Sequence, residues 1–169
     1  MLEHQLVDLL KEKELTIGSV ESITGGLFAS TLTNVSGVSK VFLGSMVTYA
    51  NEVKEQLLGI PHARIENYGV VSKEIAYDMA KEGRKKLHVD ICVSFTGNAG
   101  PTALDHLPVG RLFIGIAIGQ IVKTYELQIN ALDRNRIREL AVDEAMKKII
   151  ELVRQQEIGE GNSDLQTNE

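Results

Sequence analysis

Cysteine is nearly absent from this sequence. Cys92 is the only one among 169 residues, so no disulfide can close within the chain and no thiolate-rich metal site can be built. That usage fits a reducing cytoplasm. Tryptophan is missing and aromatics make up 5%, too few for a base-stacking platform. Positive charge is also short. The 18 Lys and Arg against 23 Asp and Glu give a net charge of -5, which argues against nonspecific nucleic-acid binding. A small anionic ligand stays open, because it needs only a local arginine and a few backbone N–H groups. No apolar run approaches the ~20 residues that span a bilayer, so no membrane partner is expected. The start, Met1-Leu2-Glu3-His4, lacks the basic-then-apolar pattern of a signal peptide. The Asp and Glu residues show no metal-ligand spacing, and no metal is expected.

What is present is a hydrophobic fraction of 43%, enough for one domain with a single core. Residues 2–13 read as an amphipathic helix with Leu2, Leu6, Leu9 and Leu10 on one face. Thr16 to Val20 suits a strand, and Leu27 to Leu32 begins a helix. Val41 to Tyr49 reads as a second strand, whose near-continuous apolar content suggests a central place in a sheet. Asn51 is placed to cap a helix over 52–58. Pro61 to Val71 reads as loop, and Ser72 as the cap of a helix with Ile75, Met79, Ala80 and Leu87 on its stripe. Ile91 to Phe95 is a buried-type strand containing Cys92. Gly119-Gln120 joins two further strands, 110–118 and 121–129, as a hairpin. A last helix is expected from Asp133 to about Gln156. Residues 157–169 form a polar, acidic tail that composition reads as disordered. Helices alternating with strands, except for one late hairpin, predict an α/β fold: a three-layer α/β/α sandwich with a mixed β-sheet, as a single domain over residues 1–156.

Ligands in such sheets bind beyond the carboxyl ends of strands. Three segments lie there. Ser22 to Gly26 runs strand, serine, turn, Gly-Gly, helix. It can present a nucleophile beside unpaired N–H groups, or it can be an ordinary helix cap with glycines for packing. A nucleophilic serine needs a base. His4 and His88 read as surface positions, His62 lies in a loop, and only His106 falls in a candidate segment. Lys54 is the better candidate, with Tyr49 placed to pass or orient a proton. The alternative makes Lys54 a solvated helix residue and Tyr49 a strand-end aromatic. Thr96-Gly97-Asn98-Ala99-Gly100-Pro101 can form an anion-binding nest or a plain turn. Arg134 and Arg136 sit where a helix begins, against its dipole, and are candidates for an anionic group or plain surface charge.

Six motifs in order resemble the CinA C-terminal domain family, the nicotinamide-mononucleotide amidases. They are Val20-Glu21-Ser22-Ile23-Thr24-Gly25-Gly26, Tyr49-Ala50-Asn51-Glu52-Val53-Lys54, Gly69-Val70-Val71-Ser72, Thr96 to Pro101, Leu107-Pro108-Val109-Gly110 and Leu132-Asp133-Arg134. The family pattern reads Ala-Glu-Ser-Cys-Thr-Gly-Gly, Tyr-x-Asn-x-x-Lys, Gly-Ala-Val-Ser, Thr/Ser-Gly-Ile-Ala-Gly-Pro, Lys-Pro-Val-Gly and Gly-Asp-Arg. The resemblance implies Ser22 as nucleophile, Lys54 as base and Tyr49 assisting. It places the oxyanion on backbone N–H groups around Thr24, Gly25 and Gly26. Thr96, Gly97, Gly100 and Arg134 would face the nucleotide and its phosphate. The implied reaction releases ammonia from nicotinamide mononucleotide, a pyridine nucleotide, and needs no cofactor. The resemblance also implies a homodimer or higher homo-oligomer, with the apolar 109–118 strand near an interface. The sequence departs from the pattern at Ile23, Asn98, Thr102 to His106, Leu107 and Leu132. Those departures leave a second expectation, a catalytically weakened nucleotide-binding or interaction module linked to competence or DNA damage.

Overall fold

The computed structural model describes residues 1–102, 106–131 and 133–166, with side chains as far as Gln156. The chain runs α1 (Leu2–Lys13), β1 (Ile17–Glu21), α2 (Leu27–Thr33), a 3-10 turn (Val38–Lys40), β2 (Phe42–Val47), α3 (Asn51–Leu58) and α4 (His62–Tyr68). It continues through α5 (Lys73–Leu87), β3 (Ile91–Gly97), β4 (Arg111–Ile118), β5 (Ile121–Gln128) and α6 (Arg134–Gln166). The five strands form one mixed sheet in the order β2-β1-β3-β4-β5. β1 pairs parallel with both β2 and β3, and the hairpin closes the other side antiparallel.

From β1 the chain steps outward to β2 through α2, then back across β1 to β3 through α3, α4 and α5. Right-handed crossovers in opposite directions put their helices on opposite faces. Accordingly α1, α2 and α6 pack with one another on one face, and α5 covers the other, with α3 and α4 against it. The larger core fills the first face: Ile17, Ile91, Val93, Phe95, Leu112, Ile114 and Ile116 meet Leu6, Leu10, Phe28, Ile137, Ala141 and Ile149. Phe28 of α2 tilts onto Phe95 of β3 at 5.6 Å between ring centroids. On the α5 side the sheet is built from small residues so that the helix can approach. A Cβ at Gly115 would stand 2.3 Å from the carbonyl oxygen of Ala76, and Ser94 Oγ donates to that same carbonyl at 2.6 Å.

The three-layer sandwich is as expected, and the hairpin turns at Gly119-Gln120. Four elements differ. β2 is an edge strand, not a central one: Leu43 and Val47 are exposed, and the strand pairs only with β1. Apolar content misled because one flank of β2 has no neighbour. The 61–71 segment contains α4, too short to show helical periodicity. Asn51 is the first residue of α3 rather than its cap; the cap position is Ala50. The last helix passes Gln156 and runs to Gln166, into the polar segment. The 109–118 segment holds β4, which lies between β3 and β5 and is buried within the chain from Leu112 to Ile118. Ser72 caps α5 as expected, accepting from the Ile75 N–H at 3.2 Å. Cys92 is a fully buried core residue, and burial pushes its thiol pKa up. Ala103 to Asp105 and Leu132 lie outside the described residues.

Candidate active site

Because β1, β2 and β3 are mutually parallel, the segments following them emerge at one end of the sheet. Ser22 follows the last residue of β1, and its N–H extends the ladder to the Phe95 carbonyl at 3.0 Å. The chain then turns twice: Gly25 N–H donates to the Ser22 carbonyl at 3.1 Å, and Leu27 N–H to the Thr24 carbonyl at 3.0 Å. Gly25 and Gly26 take positive φ of 58° and 102°, which glycine adopts at little cost. The turn leaves the N–H groups of Ile23, Thr24 and Gly26 without an acceptor among the described residues. Of the expected oxyanion donors Gly25 is therefore engaged, while Thr24 and Gly26 remain available, joined by Ile23.

Lys54 comes from α3, the helix that follows β2. It is 0% exposed, and its Nζ donates to Ser22 Oγ at 3.2 Å, to the Thr48 carbonyl at 2.7 Å and to the Tyr49 carbonyl at 3.1 Å. None of its bonds is to a carboxylate. Burial without a counter-charge disfavours the ammonium and lowers the pKa to about 8. A neutral amine has two N–H groups and one lone pair. The two carbonyls accept the N–H groups, which leaves the lone pair for the Ser22 hydroxyl. The geometry is that of a serine beside its base.

Tyr49 joins the site differently from the expectation. Its backbone carbonyl holds Lys54, while its hydroxyl accepts from Arg134 Nη2 at 3.2 Å. Arg134 in turn donates through Nη1 to the Gly100 carbonyl at 2.5 Å. Thr96 Oγ1 donates to the Val70 carbonyl at 2.6 Å, fastening the end of β3 to the segment before α5. Gly97 packs on Leu112, where a Cβ would stand 2.4 Å from the Leu112 Cβ. Ser22, Ile23, Tyr49, Asn51, Val70, Val71, Thr96, Gly97, Asn98, Ala99 and Arg134 line a cleft of about 350 Å³. The structure thus brings Ser22, Lys54, Tyr49, Thr96, Gly97, Gly100 and Arg134 together. Arg136 pairs with Glu139 at 3.2 Å instead, and His62 pairs with Glu55 at 2.7 Å. No histidine lines the cleft among the described residues.

Two residues escaped the sequence reading. Glu21 is fully buried, and its carboxylate accepts from Phe28 N–H (2.9 Å), Ala29 N–H (3.2 Å), Ser19 Oγ (2.9 Å) and Ser45 Oγ (3.2 Å). It caps α2 from five residues before Gly26, the cap position, which has no side chain to do so. A helix following a glycine cap is the signal that an acid nearby must serve. Arg138 donates to the carbonyls of Ile23 at 3.1 Å and Thr24 at 2.7 Å, clamping the Ser22–Gly26 turn to α6. Its spacing of four from Arg134 puts both on one helix face. Among the described residues no group of three or more His, Cys, Asp or Glu side chains is placed to hold a metal ion.

The model of the CinA C-terminal domain matches residues 1–153, from α1 through the sheet and into α6. The chain belongs to the CinA C-terminal domain family. A relative named competence-damage inducible protein, from Limosilactobacillus fermentum, is 48% identical over 144 residues, covering 85% of this chain and 35% of its own length. A CinA-like protein of Dictyoglomus thermophilum is 47% identical over 138 residues, covering 81% of this chain and 33% of its own. This CinA-family chain thus spans about a third of the length of those relatives. Among solved structures, a CinA superfamily protein of Escherichia coli superposes with a TM-score of 0.85 at 27% identity, covering 89% of this chain and 88% of that one. A competence/damage inducible protein of Agrobacterium tumefaciens gives 0.85 at 29% identity, covering 89% and 93%. No helix among the described residues is long and apolar enough to cross a membrane.

Proposed function

We propose that this CinA-family chain is an amidohydrolase that converts nicotinamide mononucleotide to nicotinate mononucleotide and ammonia, serving pyridine-nucleotide recycling in the cytoplasm. The observation that carries the reading is Lys54 Nζ, buried and without a counter-charge, 3.2 Å from the Oγ of Ser22, which lines the cleft. Neutral Lys54 takes the Ser22 proton as Oγ attacks the carboxamide carbon. The developing oxyanion is held by N–H groups of the Ile23–Gly26 turn. Collapse expels ammonia with the proton from Lys54 and leaves an acyl-serine. Water then attacks, returns its proton through Lys54, and releases the carboxylate with Ser22 restored. Arg134 faces the phosphate, held in place by Gly100 and the Tyr49 hydroxyl. The bound species requires no cofactor for these steps.

The test is ammonia release from nicotinamide mononucleotide by the purified chain and by Ser22→Ala. Turnover is expected to fall by roughly 10³-fold or more in the variant, since a nucleophile has no substitute. Equal rates in the two would overturn the amidase. A second reading, a nucleotide-binding or interaction module linked to competence or DNA damage, draws on the names of the relatives and on Arg134 having two contacts within the chain. It predicts nucleotide binding without ammonia release in the same assay.

A further inference from the structure

Asn98 is held by the loop at both ends of its backbone. Its N–H donates to the Arg111 carbonyl at 3.0 Å, and its carbonyl accepts from Gly110 N–H at 2.7 Å. Its side chain is fixed as well, because Oδ1 accepts from Gly100 N–H at 3.0 Å. That bond settles the orientation of the amide: the oxygen serves the loop and the nitrogen faces away from it. Asn98 is 2% exposed, and Nδ2 has no hydrogen-bond partner among the described residues. A buried amide nitrogen left unpaired is costly, and each such group calls for an explanation. The loop does not supply one, since an aspartate would accept the Gly100 N–H equally well. Asn98 lines the cleft, and the unused donor is there for what the cleft binds.

Its place along the cleft indicates which part of a ligand it meets. Ser22 is tied to Phe95, and Asn98 lies three residues further on, roughly 10 Å at a strand's rise of about 3.3 Å per residue. On its other side Asn98 is tied to Gly100, whose carbonyl holds Arg134. Asn98 therefore lies between the nucleophile and the cation. On the amidase reading, on which this inference rests, the carboxamide sits at Ser22 and the phosphate at Arg134, with the sugar between. We propose that Asn98 is a specificity-determining residue whose Nδ2 donates a hydrogen bond to a ribose hydroxyl oxygen of the bound nucleotide. The isoleucine of the family pattern at this position has no donor, so the contact is this chain's own.

The experiment compares kcat/KM for nicotinamide mononucleotide and its 2′-deoxy and 3′-deoxy analogues in wild type, Asn98→Asp and Asn98→Ile. Asn98→Asp keeps an acceptor for Gly100 N–H and removes the donor; Asn98→Ile takes the residue of the family pattern. Wild type is expected to prefer the ribonucleotide over one deoxy analogue by at least ~10-fold, the discrimination of a site built to bond a hydroxyl. Both variants should bring that ratio near one, with KM for the ribonucleotide raised about tenfold and kcat changed far less. A general disturbance of the loop would slow all three substrates alike and leave the ratio intact. A wild-type ratio retained in both variants overturns the inference while the amidase stands. A wild-type chain that releases no ammonia, and whose Ser22→Ala form shows no calorimetric binding of nicotinamide mononucleotide, overturns the amidase reading and the inference with it.

Discussion

In the proposed reaction Lys54 is the base. It is buried with three oxygen neighbours and no carboxylate, so desolvation lowers its pKa to about 8. A base must be neutral to act, and the neutral form gains as pH rises through that value. kcat/KM for ammonia release is therefore expected to climb about tenfold per pH unit below pH 8 and to level above it. A flat profile between pH 6 and 9 would remove Lys54 from the role of base. Lys54→Arg should be inactive across the range, because a guanidinium stays protonated. Glu21 acts at the same scale without reaching the cleft. Glu21→Gln puts an amide NH2 against the donors of α2 and the two serines. The expected loss is about 3 kcal/mol in chemical denaturation, the order of a buried charge-assisted bond broken with its partner left in place. A melting curve identical to wild type would show that the α2 cap does not depend on the carboxylate.

Among elements, α5 and the nucleophile turn are each set by contacts far along the chain. α5 lies so close to the sheet that Gly115 has no room for a methyl group beside the Ala76 carbonyl. Gly115→Ala should push the helix outward and cost about 3 kcal/mol, at the upper end of overpacking effects, read as a lowered denaturation midpoint. The turn between β1 and α2 is held from α6 by Arg138. Arg138→Ala leaves the Ile23 and Thr24 carbonyls without their donor and loosens the N–H groups proposed to hold the oxyanion. Its expected signature is a kcat drop of roughly 10- to 100-fold with KM changed much less, as for groups that act at the transition state. A change in KM alone would place the effect in ground-state binding. The nucleophile turn was legible as strand, serine, Gly-Gly and helix, because those cues are local. Its fastener Arg138 was not, because nothing near Ser22 in sequence announces a residue 116 positions later.

At the scale of the whole molecule, the parallel strands β1, β2 and β3 send their following segments to one end of the sheet. One cleft gathers residues from five parts of the chain: 22–23, 49–51, 70–71, 96–99 and Arg134. The opposite consequence is an open edge. β2 has a partner on one side only, and its Leu43 and Val47 are 54% and 47% exposed. The expected homo-oligomer is best sought there rather than at β4. Sedimentation velocity should show a species larger than one chain, and Leu43→Glu should shift it to the monomer. A wild-type chain that sediments as a monomer at all concentrations would retire that expectation.

Local periodicity and turn chemistry in the sequence by themselves determined most of the elements, the α/β class and the hairpin, because helix stripes, strand alternation and glycine turns are written within a few residues. They also marked Ser22, Lys54 and Thr96 to Gly100 as strand-end segments. The order of the strands was beyond them. An apolar run says that a strand wants neighbours, not how many it has, and so β2 read as central. The tertiary structure alone decided that Lys54 loses its solvent and meets Ser22, that Tyr49 spends its hydroxyl on Arg134, and that Asn98 keeps one donor unused. Each of these depends on which groups remain for a buried polar atom once the chain has closed around it, and that is settled by packing at a distance rather than by neighbours in sequence.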